Sequence, residues 1–157
     1  MCIRKMTAKD NMRVKEIIQT SLEQLGLAIP GSAYFDPQLE HLSEYYQQWE
    51  AAAYWVLEVD GVIVGGVGIA PFDTKKSICE LQKLYLIPKV QGRGYAKKLM
   101  DTALHFAKKH YKYCYLETMQ SLEAACKLYV RYQFENLSSP LIGSEHSAMD
   151  TWMLKTL

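Results

Sequence analysis

A short glycine turn at residues 91–96, Gln-Gly-Arg-Gly-Tyr-Ala, carries the residues best suited to binding a ligand. It follows an apolar stretch that predicts a strand at 78–87, ended by Pro88, and it opens a predicted helix at 94–109. Backbone amides in this turn can point at one anion, and the helix dipole adds to the attraction. Because short glycine patterns are weak evidence, an ordinary turn before a solvated basic helix is the alternative.

Basic residues surround this turn, and no acidic residue appears in the helix before Asp101. Cations at the start of a helix oppose its dipole, at about 0.3–1 kcal/mol each. A bound polyanion such as a pyrophosphate would reverse the sign of that effect, which favours phosphate binding. The pattern is neither a Walker A loop nor a Gly-x-Gly-x-x-Gly fingerprint, since position 97 is lysine. The basic residues are Lys89, Arg93, Lys97 and Lys98.

The surrounding pattern predicts an α/β fold with a mixed sheet whose antiparallel part comes first. Asp60-Gly61 predicts a hairpin turn, and the glycines that follow it predict a close approach by another backbone or a ligand. No linker or repeat is visible, so residues 1–157 are predicted to form a single domain. Strands are predicted at 2–6, 54–59, 62–69, 78–87, 113–118 and 151–154, and helices at 7–25, 39–49, 94–109 and 122–132.

Composition and charge narrow the classes of function. The formal net charge of +1 gives no general attraction to nucleic acid or to an acidic membrane surface. No apolar run approaches the roughly 20 residues that span a bilayer. The four cysteines form no Cys-x-x-Cys pair, so no metal site is expected. Their wide spacing and the absence of a signal peptide predict reduced thiols and a cytoplasmic location.

Several motifs between residues 78 and 134 occur together in one known family. Residues 91–96 fit the pattern Gln/Arg-x-x-Gly-x-Gly/Ala, and 125–134 fit Ala-x-x-Leu-Tyr-x-x-x-Gly-Phe except at one position. With the strand 80–88, Glu-Leu-Gln-Lys-Leu-Tyr-Leu-Ile-Pro, and the strand 115–118, they resemble the GCN5-related N-acetyltransferase (GNAT) superfamily. The resemblance implies a largely antiparallel, twisted sheet flanked by helices, with the fourth and fifth strands splayed apart.

The resemblance also implies acetyl-CoA as co-substrate, bound without a metal. In this family the splayed fourth strand pairs its free backbone groups with the pantetheine arm, and the glycine turn holds the pyrophosphate. Ser121 or the backbone is implied as a further contact, because Leu122 stands where many relatives have asparagine. The implied cofactor-binding residues are Leu84, Tyr85, Leu86, Gln91, Gly92, Arg93, Gly94, Tyr95, Ala96, Lys97 and Ser121.

Two residues are implied to act in catalysis. Tyr129 would protonate the leaving thiolate, since a phenol with an ordinary pKa of about 10 keeps its proton at pH 7; packing alone is the alternative. Glu80 would act as general base, directly or through water, and a solvent-exposed strand carboxylate is the alternative. Strand alternation predicts that Glu80 shares one face with Gln82, Leu84 and Leu86.

Other ionisable residues are weaker candidates. Glu117 and Glu123 are secondary candidates for the base. The histidines lack a matched partner and are predicted to be surface or packing residues: His41, His105, His110 and His146. Gln133 replaces the family's glycine before Phe134, so the turn that ends this helix is expected to differ.

The predicted function is N-acyl transfer from acetyl-CoA to a primary amine of a small molecule, amino acid or peptide, by direct attack in a ternary complex. A non-catalytic acyl-CoA-binding module with the same fold is one alternative. A nucleotide-binding regulator, with Glu117 as its acidic ribose contact, is another. Acceptor specificity is expected from 26–35, the second helix and 143–150. A homodimer formed through aromatic or terminal surfaces is an alternative to a monomer.

Overall fold

Seven strands form one sheet in the computed structural model, which describes all of residues 1–157. The strands are β1 (Cys2–Lys5), β2 (Ala53–Val59), β3 (Val62–Asp73), β4 (Ile78–Leu86), β5 (Tyr113–Thr118), β6 (Glu135–Leu137) and β7 (Thr151–Thr156). Their order across the sheet is β1-β2-β3-β4-β5-β7-β6, and only the pair β4–β5 is parallel. The predicted mixed, largely antiparallel sheet is confirmed.

Four α-helices cover the two faces of this sheet: α1 (Asn11–Gln24), α2 (Leu42–Gln47), α3 (Tyr95–His110) and α4 (Glu123–Arg131). Successive residues of β2 point to opposite faces, so Trp55 joins the core beneath α3 whereas Tyr54 joins the core beneath α1. The helices bury apolar stripes at helical spacing against these faces. No helix in the chain combines the length and apolar character needed to cross a membrane.

Three elements differ from the sequence prediction. The helix predicted at 39–49 is a 3₁₀ turn, Pro37–His41, followed by the short α2. Strand β3 continues past 69 to Asp73, because a shift in its pairing with β4 accommodates Pro71, which has no amide proton to donate. Strand β6 was not predicted, since three largely exposed residues carry no periodic signal.

Glycines in β3 allow the close approach that their spacing predicted. A Cβ on Gly66 would lie 2.6 Å from the carbonyl oxygen of Trp55, so only glycine fits between β2 and its neighbour there. A Cβ on Gly68 would collide with the ring of Tyr46. These glycines therefore let aromatic side chains lie flat on the sheet beside β4.

Strands β4 and β5 pair only at their first residues and then separate. The parallel pairing joins 78–80 to 113–115 and does not continue. On the other edge of β4, Val67 faces two residues, Lys83 and Leu84, which is a β-bulge, and Lys83 has a left-handed backbone with φ +51°. Because a bulge bends the strand that carries it, β4 turns away from β5. The predicted splay of these two strands is confirmed.

The bulge also exchanges the two faces of β4, so the prediction of one shared face was wrong. Glu80 and Gln82 lie on the side of α1 and α2, where Gln82 accepts a hydrogen bond of 2.7 Å from the Tyr46 hydroxyl. Leu84 and Leu86 pack instead with the core beneath α3. One extra residue in a strand reverses the side-chain direction of every residue that follows it.

Candidate active site

The separation of β4 from β5 opens a cleft of about 820 Å³, which we call the splay cleft. Its walls are β4 from Glu80 to Leu86, the turn before α3, the end of β5 and most of α4. The C-terminal end of α1 covers one side. Ligand sites typically have volumes of about 300–1,000 Å³, so this cleft is large enough for a cofactor and a small second substrate.

The structure brings nearly all of the predicted cofactor residues to this cleft. Arg93 is the exception, since it is exposed and does not line the cleft. Ser121 lies at the rim, in the loop between β5 and α4. The predicted cofactor residues that line the cleft are Leu84, Tyr85, Leu86, Gln91, Gly92, Gly94, Tyr95, Ala96, Lys97 and Ser121.

Backbone groups of Leu84 and Leu86 point into the gap between the strands. The Ile87 amide donates to the Val64 carbonyl at 2.9 Å, and Tyr85 stands opposite Gly66 in the same antiparallel register. Because hydrogen-bonding directions alternate along a strand, the backbone of Tyr85 is used by β3 and that of its two neighbours faces away from it. The backbone of Tyr85 is therefore already paired with β3, whereas its side chain lines the cleft.

One group on this open edge already has a partner within the chain. The side-chain amide of Gln91 donates to the Leu86 carbonyl at 2.9 Å. This bond ties the glycine turn to the end of β4. The position of the turn is thereby fixed relative to the unpaired strand edge.

The glycine turn has the backbone conformation that its sequence requires. Gly92 and Gly94 have φ of +76° and +81°, and a Cβ on either would meet no atom within 4 Å. Glycine is therefore needed here for conformation rather than for space within the protein. Gly94 is the N-cap residue of α3, and the first turn of α3 contains no acidic residue. The first backbone amides of α3 have no acceptor within the helix. The four basic residues around the turn are all exposed.

Tyr129 both packs in the core and lines the splay cleft. It lies in α4, its residue is 7% exposed, and its ring meets Phe134 edge to face at 6.0 Å. Burial raises the pKa of Tyr129 well above its ordinary value, so the phenol keeps its proton at neutral pH. The two roles considered for this residue are thus compatible.

The turn after α4 keeps the geometry usually built with glycine. Gln133 has φ +67°, and the Phe134 amide donates to the Tyr129 carbonyl at 3.1 Å. The expectation of a different turn was therefore wrong. A left-handed glutamine costs free energy, and the hydrogen bonds that close the end of α4 offset this cost.

Glu80 is held at the end of the splay cleft by a chain of side chains. The Gln82 amide donates to a Glu80 carboxylate oxygen at 2.6 Å, and Tyr46 donates to Gln82 in turn. Burial raises the pKa of Glu80, an effect that Gln82 opposes and the neighbouring Glu117 carboxylate increases. The alternative of a solvent-exposed strand carboxylate does not apply to this residue.

A second polar cluster, which the sequence did not predict, closes the same end of the cleft. The Lys83 ammonium lies 2.8 Å from Asp36, and His146 Nε2 lies 3.0 and 3.1 Å from the two oxygens of that carboxylate. Burial alone would raise the pKa of Asp36, but His146 and Lys83 outweigh it and hold the pKa below its usual range. The prediction that His146 is a plain surface or packing residue was wrong.

Glu117 joins these groups from β5. Its Oε2 accepts hydrogen bonds from the hydroxyl groups of Tyr115, at 2.7 Å, and of Ser144. Its other oxygen, Oε1, is buried without a hydrogen-bond partner, and the Nδ1 of His146 is 4.0 Å away. Glu123, the other secondary candidate, is exposed at the start of α4.

The site residues that the sequence did not predict lie far apart from one another along the chain. Asp36 and His146 are 110 residues apart, and each lies in a loop without a periodic pattern. The Ala148 amide also donates to the Gly31 carbonyl at 3.0 Å, so the two loops meet directly. These are the loops at 26–35 and 143–150 from which acceptor specificity is expected, although Asp36 lies one residue beyond the first range, and no sequence signal pairs the two side chains.

Known proteins resemble this chain in sequence over most of its length. The family model described as Acetyltransferase (GNAT) family matches residues 24–134. The uncharacterized N-acetyltransferase YjgM of Escherichia coli (strain K12) is 39% identical over 158 residues, which cover 99% of this chain and 94% of that protein.

Solved structures share the fold at lower identity. An acetyltransferase of the GNAT family from Staphylococcus aureus Mu50 is 18% identical, with a TM-score of 0.82 over 99% of this chain and 98% of its own. YncA of Salmonella typhimurium, solved with its cofactor acetyl-CoA, is 20% identical. Its TM-score is 0.76, and the match covers 99% of this chain and 93% of that chain.

The pair between His146 and Asp36 predicts a pH-dependent contribution to stability. The hydrogen bond that His146 donates to Asp36 raises the pKa of His146 above its ordinary 6.5, against the opposing effect of burial. The contribution of His146 is therefore complete below about pH 6.5 and is lost as the pH rises through the raised folded value. His146→Gln should lower the free energy of unfolding by about 1.5–3 kcal/mol at pH 6, and by less at pH 9.

Urea denaturation at the two pH values measures this difference. His105→Gln serves as control, because His105 is exposed on α3 and takes no part in the ion pairs of the cluster. The charges that surround His146 are Asp36, Lys83, Glu80 and Glu117. A loss of stability that is equal at pH 6 and pH 9 would contradict the assignment.

Proposed function

Since the chain belongs to the GNAT family of acetyltransferases, we propose that it transfers an acetyl group from acetyl-CoA to a primary amine by direct attack in a ternary complex. The amine belongs to a small molecule, an amino acid or a peptide. The observation that carries the proposal is the unpaired edge of β4, which lies between the glycine turn at the start of α3 and a buried phenol. We also infer that residues 1–157 act as one catalytic domain.

The chain's own groups fit the pantetheine arm and the pyrophosphate of coenzyme A. The backbone amides of Leu84 and Leu86 and the Leu84 carbonyl are free to pair with the amides of the pantetheine arm, as an added strand would, whereas the Leu86 carbonyl already accepts from Gln91. The amides from Gly92 to Ala96 form a cradle for the pyrophosphate, and the exposed cations around the turn add attraction. Acetyl-CoA supplies the acetyl thioester, and no metal enters the proposal.

Glu80 is the proposed general base. The amine must lose a proton as its nitrogen bonds to the acetyl carbon, and Glu80 receives that proton directly or through water. A carboxylate with a raised pKa is a stronger base than an ordinary one, and Gln82 fixes its orientation. This residue therefore combines the position and the basicity that the reaction needs.

Tyr129 is the proposed general acid. As the carbon–sulfur bond breaks, the Tyr129 hydroxyl gives its proton to the sulfur and coenzyme A leaves as the thiol. Burial keeps the phenol protonated at neutral pH, and the residue lines the same cleft as the free edge of β4. Burial raises the pKa of Tyr85, and the nearby Tyr129 adds to this shift; the side chains of both residues line the splay cleft.

The cytoplasm is the proposed location. All four cysteines are free thiols, although Cys79 and Cys114 stand directly opposite each other in the β4–β5 pairing. Free thiols at such close positions suit a reducing compartment.

An amine screen with acetyl-CoA tests the proposed function. Thiol release that depends on the amine, with an acetylated product identified by mass spectrometry, is the expected result. Coenzyme A binding with no acetylation of any amine would instead support a non-catalytic acyl-CoA-binding module.

Replacement of Gly94 by alanine should weaken coenzyme A binding. Alanine resists the left-handed conformation, so Gly94→Ala should cost about 1–3 kcal/mol of stability and turn the cradle amides away from the phosphates. The dissociation constant of coenzyme A, measured by calorimetry, should rise about tenfold or more.

Gly61→Ala is the matched control for this variant. Gly61 has φ +76°, and a Cβ there also meets no atom within 4 Å, but it lies in the β2–β3 hairpin. The two variants should lose similar stability, and only Gly94→Ala should lose affinity. Equal affinity in both variants would show that the turn does not bind phosphate.

Removal of the Tyr129 hydroxyl should lower turnover without changing coenzyme A affinity. Tyr129→Phe keeps the ring and its contact with Phe134, so the core should survive. Loss of a general acid typically costs a factor of about 10²–10⁴ in rate, which kcat at saturating acetyl-CoA would report.

Tyr132→Phe provides the comparison for a lost hydroxyl near the same helix. The Tyr132 hydroxyl donates to Asp101 at 2.6 Å and does not line the cleft. Its kcat should stay near that of the unaltered protein. A Tyr129→Phe enzyme with undiminished kcat would end the general-acid assignment and leave the transfer reaction standing.

A further inference from the structure

The splay cleft contains one buried polar atom that the protein leaves without a partner. The side chain of Glu117 is 3% exposed, and its Oε1 accepts no hydrogen bond within the chain. The carboxylate is otherwise well held, because Tyr115 and Ser144 both donate to Oε2. A buried carboxylate oxygen without a donor costs free energy, so its retention at a ligand-sized cleft indicates that a ligand supplies the donor.

The charges around this oxygen decide which ligand fits. Three carboxylates, those of Asp36, Glu80 and Glu117, face one lysine and one histidine. Both cations are directed at Asp36, with contacts of 2.8 Å from Lys83 and 3.0 Å from His146. Glu80 and Glu117 therefore keep no cation of their own within 3.5 Å hydrogen-bonding distance. Negative charge is in excess where the acceptor must enter.

From this arrangement we propose that Glu117 binds the acceptor amine, and that the acceptor is a cationic amine without a carboxylate beside its reacting nitrogen. The inference rests on the proposed function and narrows its acceptor class. Amines, diamines, amino-acid amides and peptide amino termini belong to this class, whereas free α-amino acids do not. An N–H group of the acceptor satisfies Oε1, and a free α-carboxylate is repelled by Glu80 and Glu117.

Glu80 and Glu117 are held by different partners, and we assign them different roles. Glu80 is held by Gln82 and has the raised pKa of a base, whereas Glu117 is held by two hydroxyl groups on one oxygen and presents the other. Glu117 is thus a specificity-determining residue for binding, and its removal should act on KM more than on kcat.

Matched acceptors test the proposal with the full chain. Phenylalanine, phenylalaninamide and phenethylamine share one side chain and differ only at the α-carboxyl group, and a second set is built on alanine. The amide should exceed the amino acid in kcat/KM by about tenfold or more. Glu117→Gln keeps an oxygen for Tyr115 and Ser144 but removes the charge, so it should reduce this ratio by about tenfold, mainly through KM.

Glu123→Gln is the control for a lost carboxylate in the same cleft. Glu123 lines the splay cleft but is exposed at the start of α4, so the ratio of amide to amino acid should not change. Thermal denaturation and coenzyme A titration of each variant show that the fold and the cofactor site survive.

The outcomes separate this inference from the proposed function. A free amino acid used as well as its amide, or an unchanged ratio in Glu117→Gln, would overturn the inference while acetyl transfer stands. If no amine is acetylated, the proposed function fails, and calorimetric binding of the amide and the amino acid to the protein saturated with coenzyme A decides the role of Glu117. Equal binding of the two by the unaltered protein would overturn it.

Discussion

The left-handed backbone of Lys83 determines how the whole site is arranged. A residue other than glycine at φ +51° costs about 1–3 kcal/mol, and this one is also a buried ammonium group. Two contacts offset the cost: the Lys83 Nζ pairs with Asp36 at 2.8 Å, and its carbonyl accepts from the buried Tyr54 hydroxyl at 2.9 Å. The bulge that turns β4 away from β5 is therefore held from both its side chain and its backbone.

Both ends of the splay cleft follow from this single bulge. At the end nearest the glycine turn, the bulge leaves the edge of β4 at Leu84 and Leu86 without a neighbouring strand. Gln91 ties the glycine turn to this part of β4. At the opposite end of the cleft, the bulge leaves Glu80 facing the loops that carry Asp36 and His146. The ion pair that stabilises the strained residue thus also joins two distant loops over the end of the cleft that contains Glu80.

Local patterns in the sequence were enough to predict the scaffold and the glycine turn that opens α3. The glycine turn, the strand before it and the buried Tyr129 all lie within continuous segments whose spacing carries the signal. Strand alternation failed in β4, because nothing in Lys83 itself marks a left-handed position that glycine or asparagine would have signalled. The polar cluster at the other end could not be predicted, since Asp36, Glu117 and His146 meet only through the tertiary fold.

Amide hydrogen exchange measured by NMR tests most directly whether the β4 edge at Leu84 and Leu86 is kept unpaired for coenzyme A. In the free protein the Leu84 and Leu86 amides should exchange quickly, whereas those of Tyr85 and Ile87, which bond to β3, should exchange slowly. Saturation with coenzyme A should slow the first pair to the range of the second. Exchange at Leu84 and Leu86 that is unchanged by saturating coenzyme A would contradict the account.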